Sequence, residues 1–153
     1  MLQNKIQSKE LYQELFPLVQ SLGYTIVDVQ DSVIKRERHV HVVIRNPHGN
    51  TSLDDCSAVS RLVQPRLTVL FDTRDIHLEV SSPGLRRSFK DIFEFEVFQG
   101  EHIRILIGDQ WIIGVLQGFD GKEVTLETEA GKTAAYAVET IKKAKLAGSL
   151  KEK

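Results

Sequence analysis

Three groups of side chains in this sequence are spaced so that they could act together. Ser81 and Ser82 are adjacent hydroxyls ahead of a Pro83-Gly84 turn. His39, His41 and His77 occupy alternate positions in two apolar–polar runs, and Arg86, Arg87 and Lys90 form a compact basic group just past the turn. A serine becomes a nucleophile when a base and an orienting acid stand beside it. Imidazoles on one face can ligate a metal, and guanidinium forks suit bidentate contacts with phosphate or carboxylate.

Each chemistry has a plainer competitor. The chain has no Gly-x-Ser-x-Gly elbow, and nothing local supplies a base and an acid in known roles, so Ser81 and Ser82 are expected to satisfy main-chain groups at a strand end. Histidines on alternate strand positions are commonly exposed polar residues. No ligand-spaced cysteine or carboxylate completes a set around them, so no metal and no cofactor are expected. Asp54 and Asp55 fit the first turn of a helix, where the dipole favours acids. Cys56 falls on the apolar face of that helix and reads as a small hydrophobe. For Arg86, Arg87 and Lys90 the residues alone leave two readings open, a phosphate contact or a solvated linker. A second basic group, Lys142, Lys143 and Lys145, opens the stretch Lys142 to Lys153, which holds five lysines against Glu152 alone. Trp111 and Phe119 have the chemistry to stack on bases, but core placement is expected in so small a unit. No phosphate-binding Gly-x-x-x-x-Gly-Lys loop is present, and Gly118-Phe119-Asp120-Gly121 reads as a hairpin turn.

The elements that must position these groups follow from periodicity. Leu11, Leu15, Leu18 and Leu22 mark an amphipathic helix ending at Gly23, with a kink or restart expected at Pro17. Tyr24 to Asp31 and Arg38 to Arg45 alternate as two strands joined by a charged Lys35-Arg36-Glu37-Arg38 turn. Ser52 with Asp55 forms a capping box for a second helix whose apolar face is Leu53, Cys56, Val59, Val63 and Leu67, and Pro65 is expected to kink or end it. Ile76 to Ser81 is the third strand, giving an α-β-β-α-β order in which a helical crossover makes one pairing parallel. Beyond Pro83-Gly84 the pattern changes. Gly100–Ile107, Trp111–Phe119, Glu123–Glu129 and Thr133–Val138 are short strands at close spacing, expected to curl into a small SH3-like or Sm-like barrel. Gly114 marks a sharp bend in that sheet, and Ile141–Leu146 is expected to close one end as a helical turn. The fold class is therefore α+β, with an N-terminal α/β domain over residues 1–84 and a C-terminal barrel with a basic tail over 85–153.

Composition limits the functions available. The chain has 153 residues, 41% of them hydrophobic, enough for one ordinary domain or two small ones. No apolar run approaches the roughly 18 residues that span a bilayer. The N-terminus leads into a mixed charged helix without a signal-peptide core, so a soluble cytoplasmic protein is expected. One cysteine forbids an internal disulfide. A net charge of −1 gives no global attraction to nucleic acid, so any such partner must be met by local clusters.

The Val80-Ser81-Ser82-Pro83-Gly84-Leu85 run followed by Arg87 resembles the signature of the bacterial ribosome maturation factor RimP family, Val-Ser-Ser-Pro-Gly-Leu-Asp-Arg-Pro-Leu. Seven of those ten positions match, with Arg86, Ser88 and Phe89 as the departures. Leu53-Asp54-Asp55-Cys56 with Val59-Ser60-Arg61 resembles the family's second helix, and Ile141-Lys142-Lys143-Ala144-Lys145-Leu146 its C-terminal segment. The resemblance implies a cytoplasmic, non-enzymatic, cofactor-free monomer that binds the free, immature small (30S) ribosomal subunit, both its 16S rRNA and its proteins, and assists late assembly. With a net charge of −1, the ribosome or RNA contact is expected at the local basic groups, Arg86, Arg87, Lys90, Lys142, Lys143 and Lys145, of which Arg87 matches the family's arginine, and Ser81, Ser82, Pro83 and Gly84 are expected to form an interdomain turn. Two other classes fit parts of the chain: an Sm-like RNA-binding regulator not specific to ribosomes, and a small hydrolase using Ser81 or Ser82.

Overall fold

The computed structural model describes residues 2–148. The chain divides into two compact units, one from Ile6 to Pro83 and the other from Gly84 onward together with residues 2–5.

In the first unit, helix α1 (Glu10–Ser21) precedes strands β1 (Thr25–Ile34) and β2 (Glu37–Arg45), helix α2 (Leu53–Phe71) and strand β3 (Ile76–Ser81). The sheet order is β1-β2-β3. The first pair is antiparallel and the second parallel, the crossover being α2, as a parallel pair requires. The hairpin turns on Lys35 and Arg36 alone, whose φ angles of 51° and 69° are both positive. Two-residue hairpin loops need that backbone to match strand twist, so the turn is tighter than the four residues expected and Glu37 and Arg38 begin β2.

Helix α2 opens on the capping box expected from the sequence: the Asp55 N–H donates to Ser52 Oγ at 3.1 Å, and the Ser52 N–H donates to Asp55 Oδ2 at 2.8 Å. Neither proline breaks its helix. Pro17 and Pro65 both lie inside continuous helices on exposed positions, where water can take the carbonyl that each leaves without an N–H. The buried stripe of α1 is Tyr12, Leu15 and Val19 rather than the leucine series, and Leu53 stands 87% exposed at the start of α2 while Cys56, Val59, Val63 and Leu67 are buried.

In the second unit a short helix, α3 (Glu94–Val97), is followed by β4 (His102–Ile107), β5 (Gln110–Phe119), β6 (Glu123–Glu127), β7 (Thr133–Ala137) and β8 (Ile141–Leu146). The five strands form one antiparallel sheet in the order β7-β6-β5-β4-β8, and no ladder joins β7 to β8 among the described residues. The helical turn expected at Ile141–Leu146 is instead the edge strand β8. Ile107 pairs with Ile141 and Leu106 with Lys143, so Lys142 is an extra residue. That bulge puts Ile141 and Ala144 on one face at a spacing of three, which imitates helical periodicity. At Gly114 an added Cβ would lie 2.9 Å from the Glu127 carbonyl oxygen, so β5 is glycine there because another backbone approaches it. Residues 2–5, expected with the α/β half, belong here. Gln3 donates its N–H to the Lys90 carbonyl and accepts from the Ile92 N–H at 2.8 Å.

Candidate nucleic-acid interface

Strands β4, β5 and β8 present a continuous outward row. In register, Arg104 pairs with Ile113 and Lys145, and Leu106 pairs with Trp111 and Lys143, while Ile103 and Ile105 on the opposite face are fully buried. Residues directly opposite each other share a face, and residues two apart along a strand do too. Arg104, Trp111, Lys143 and Lys145 therefore stand together, and none of the outward positions of these three strands is acidic. Trp111 is 38% exposed, which corrects its expected core placement. The Arg104 guanidinium carbon lies 4.7 Å and Lys145 Nζ 5.2 Å from the ring centroid. Both distances are in cation–π range. Arg104 Nε has no hydrogen-bond partner, so its principal contact is the indole face. Phe119 does not join this platform; its half-buried ring lies 5.8 Å from Phe95, among the core aromatics. The sequence signal for the platform was Arg104-x-x-x-x-x-x-Trp111 across a Gly108-Asp109 hairpin, legible once the hairpin register is known.

The two basic groups foreseen in the sequence meet at β8. The Phe89 N–H donates to the Ala144 carbonyl at 2.8 Å and the Leu146 N–H to the Arg87 carbonyl at 2.9 Å, so the segment after the Pro83-Gly84 turn runs alongside β8 with Ser88 opposite Lys145. Gly84 has the positive φ, 80°, that the turn was expected to need. Arg86 and Lys90 are exposed, as are Lys142 and Lys143. Lys151 and Lys153 of the basic tail lie outside the described residues.

Arg87 has a different environment. Its side chain is 9% exposed and forks onto Glu94, itself wholly buried, with Nε–Oε1 at 2.5 Å and Nη2–Oε2 at 3.2 Å. Glu94 Oε2 also accepts from the main-chain N–H groups of Lys90 at 2.8 Å and Asp91 at 3.2 Å. Asp91 reciprocates across the helix start, its Oδ1 accepting from the Phe93 N–H at 2.9 Å. Burying a carboxylate requires this degree of pairing. In this arrangement the Arg87 fork is committed to the protein's own acid. Asp91-x-x-Glu94 ahead of Phe95 was the available signal, a helix-start pattern that the sequence reading passed over.

The first unit's open sheet face carries the other foreseen groups. Ser81 Oγ lies 2.7 Å from His41 Nε2, so a base does stand beside this serine, contrary to expectation. The same Nε2 faces Glu79 Oε2 at 3.2 Å. One imidazole nitrogen cannot both accept from the serine and donate to the acid, and a triad needs the acid on the other nitrogen. The geometry does not assemble a serine nucleophile. His39 and His77 stack with ring centroids 4.6 Å apart, and Glu37, not weighed as a partner in the sequence, joins them. At the capping box, hydrogen bonding from the Ser52 main chain and then from the Tyr24 hydroxyl holds the Asp55 carboxyl below its ordinary range, and that hydroxyl is in turn pushed up by its hydrogen bond to Asp55. Burial raises the Cys56 thiol, which keeps it protonated and inert. Asp54 and Asp55 thus serve the helix start.

Among the described residues no helix is long and apolar enough to cross a membrane. In a comparison with protein-family models, residues 14–86 match the RimP N-terminal domain, a span from within α1 through β3 to the residue before Arg87.

Proposed function

We propose, for a chain that belongs to the RimP family by its N-terminal domain, that it is a cytoplasmic ribosome maturation factor which binds the free small (30S) subunit and assists its late assembly. It acts as a monomer and performs no catalysis. Mechanism in this reading is differential affinity: a factor that binds an immature state more tightly than the finished one shifts the population toward a productive arrangement and leaves when the difference disappears. No cofactor is needed for release.

The observation that carries the RNA side of this reading is the outward face of β4, β5 and β8, where the Trp111 ring lies within cation–π range of both Arg104 and Lys145, Lys143 shares the face, and no acid is among the outward positions. Aromatic platforms flanked by cations bind single-stranded nucleic acid by stacking and phosphate contact. Arg86, Lys90 and Lys142 extend the basic surface along β8 in this reading, whereas Arg87 is assigned to folding. The second unit is taken to be an SH3-like or Sm-like barrel, supported by its strand order, by the backbone approach at Gly114 and by the bulges in β5 and β8 that curl the sheet. The two units are taken as separate domains joined at Ser81-Ser82-Pro83-Gly84.

Sedimentation of cell extract tests the proposal. The protein is expected to co-migrate with free small subunits and to be absent from translating ribosomes, and a Lys143→Glu/Lys145→Glu variant should be lost from the small-subunit fraction. Binding to many RNAs without subunit preference would favour the Sm-like regulator instead. Retention of the double variant at the parent level would remove the platform from the interface.

A further inference from the structure

We propose that the open face of the β1-β2-β3 sheet binds one divalent transition-metal ion of the zinc class through Glu37, His39 and His77. This site is independent of the subunit-binding surface and lies on the first unit.

The backbone fixes the arrangement. His39 and His77 are direct partners in the parallel β2–β3 ladder, and Glu37 lies two residues before His39, on the same face by strand alternation. Their side chains converge as that register requires. The imidazole rings stack at 4.6 Å with an interplanar angle of 11°, and one donor atom from each of the three residues lies within 4.8 Å of the other two. Around a tetrahedral zinc ion with bonds of about 2.0–2.1 Å, neighbouring donor atoms sit roughly 3.3 Å apart. Glu37 and His77 are exposed and His39 is half-buried, which leaves their side chains room to adjust toward that spacing.

One edge of the triangle is already shorter than the metal would need. His77 Nε2 and Glu37 Oε2 stand 2.5 Å apart, a hydrogen bond along the line that a cation between nitrogen and carboxylate would widen. The next imidazole on the face, His41, is engaged with Ser81 and Glu79, which limits the set to three protein donors. Two imidazoles and a carboxylate leave a fourth position for water, and this mixture of nitrogen and oxygen suits zinc, nickel or cobalt above magnesium or calcium. The only cysteine, Cys56, is buried with its thiol kept protonated, so it offers no competing soft ligand.

Titrating the full chain with Co²⁺, followed by visible absorption and then displacement with Zn²⁺, tests the site. The expected result is saturable one-to-one binding that Mg²⁺ does not displace. His39→Ala, His77→Ala and Glu37→Gln should each weaken it by about tenfold or more, since even outer partners of a ligated metal carry that much. His48→Ala, in the loop after β2, should leave it unchanged. All three ligand variants alter side chains that are not fully buried, and circular dichroism would verify their folding. Absence of one-to-one binding, a folded His39→Ala/His77→Ala double variant that binds as tightly as the parent, or equal weakening by His48→Ala would overturn the proposal. None of these outcomes bears on co-migration with the small subunit.

Discussion

The outward faces of the two sheets handle charge in opposite ways. On the first, imidazoles and acids alternate across the β2–β3 ladder and bond one another, His77 with Glu37 and His41 with Glu79. On the second, cations from β4 and β8 surround an indole, and no acid occupies an outward position of β4, β5 or β8. A face whose polar groups bond one another offers ligands, whereas a face whose cations have no acid beside them on the same strands offers an attractive field to a polyanion. A chain whose total charge is −1 can therefore attract a polyanion through one surface.

Arg87 is the cation that tests this contrast most severely, because it sits in the unit that carries the cationic sheet face yet is itself paired with an acid. Removing it as Arg87→Ala leaves Glu94 buried with two main-chain donors only, and breaking a buried pair by removing one partner costs about 3–5 kcal/mol. Urea unfolding should show this loss, and Arg87→Ala/Glu94→Gln should recover a large part of it, since no uncompensated charge then remains. The salt dependence of any residual RNA binding should be unchanged. A marginal stability change together with a flatter salt slope would return Arg87 to the interface and blur the distinction.

Trp111 probes the other side of the comparison. If its exposed ring stacks on a base, Trp111→Ala should weaken binding to single-stranded RNA or to the immature subunit by about 1–3 kcal/mol, and Trp111→Phe by less. Each of Arg104→Ala, Lys143→Ala and Lys145→Ala should lower the log–log salt slope by about 0.7, the single-strand scale for one phosphate contact. Comparable losses from His41→Ala or Glu79→Ala would mean that the paired face also contributes.

What was legible in the sequence was what local periodicity encodes. The α-β-β-α-β order, the Ser52–Asp55 box and the α+β class follow from spacing and cap chemistry, and the strands were placed within a few residues. Features set by pairing were not legible. The bulge at Lys142 made a strand look helical, and the exposure of Trp111 depends on which face of β5 turns outward, which its apolar neighbours on both sides conceal. That the prolines end neither helix has a different reason: their cost depends on whether the orphaned carbonyl meets water, and both lie on the solvent side. For the candidate site, the lysines of β8 were found from composition, but Arg104 and Trp111 needed the hairpin register. The pairing of Arg87 with Glu94 was not legible because that acid, seven residues away, is brought to it only by the α3 turn. Glu37 was overlooked as a neighbour of His39 and His77 because the tight Lys35-Arg36 turn, which places it on β2, was read as four residues long.

The smallest expected effect concerns two carboxylates that work alike in both units. Asp55 is held below the ordinary aspartate range chiefly by the Ser52 main-chain N–H, and Asp120 chiefly by that of Glu123 and then Lys122. In each case the folded value lies below the unfolded one, so the unfolded chain binds more protons between the two. The contribution to stability is complete above the unfolded value and is lost as the pH falls through the folded value. Replacing either with Asn keeps an acceptor oxygen but removes the titration, so Asp55→Asn and Asp120→Asn should each flatten the acid limb of stability, measured as urea midpoints from about pH 5 down to about pH 2. Between that range and the pH at which tyrosine begins to titrate, each variant's difference from the parent should not change with pH. Because the shift arises at a helix cap in one unit and a hairpin turn in the other, equal flattening by both would show that main-chain donors alone set it. An acid limb unaltered in both variants would mean that neither cap carboxylate is held below its unfolded value.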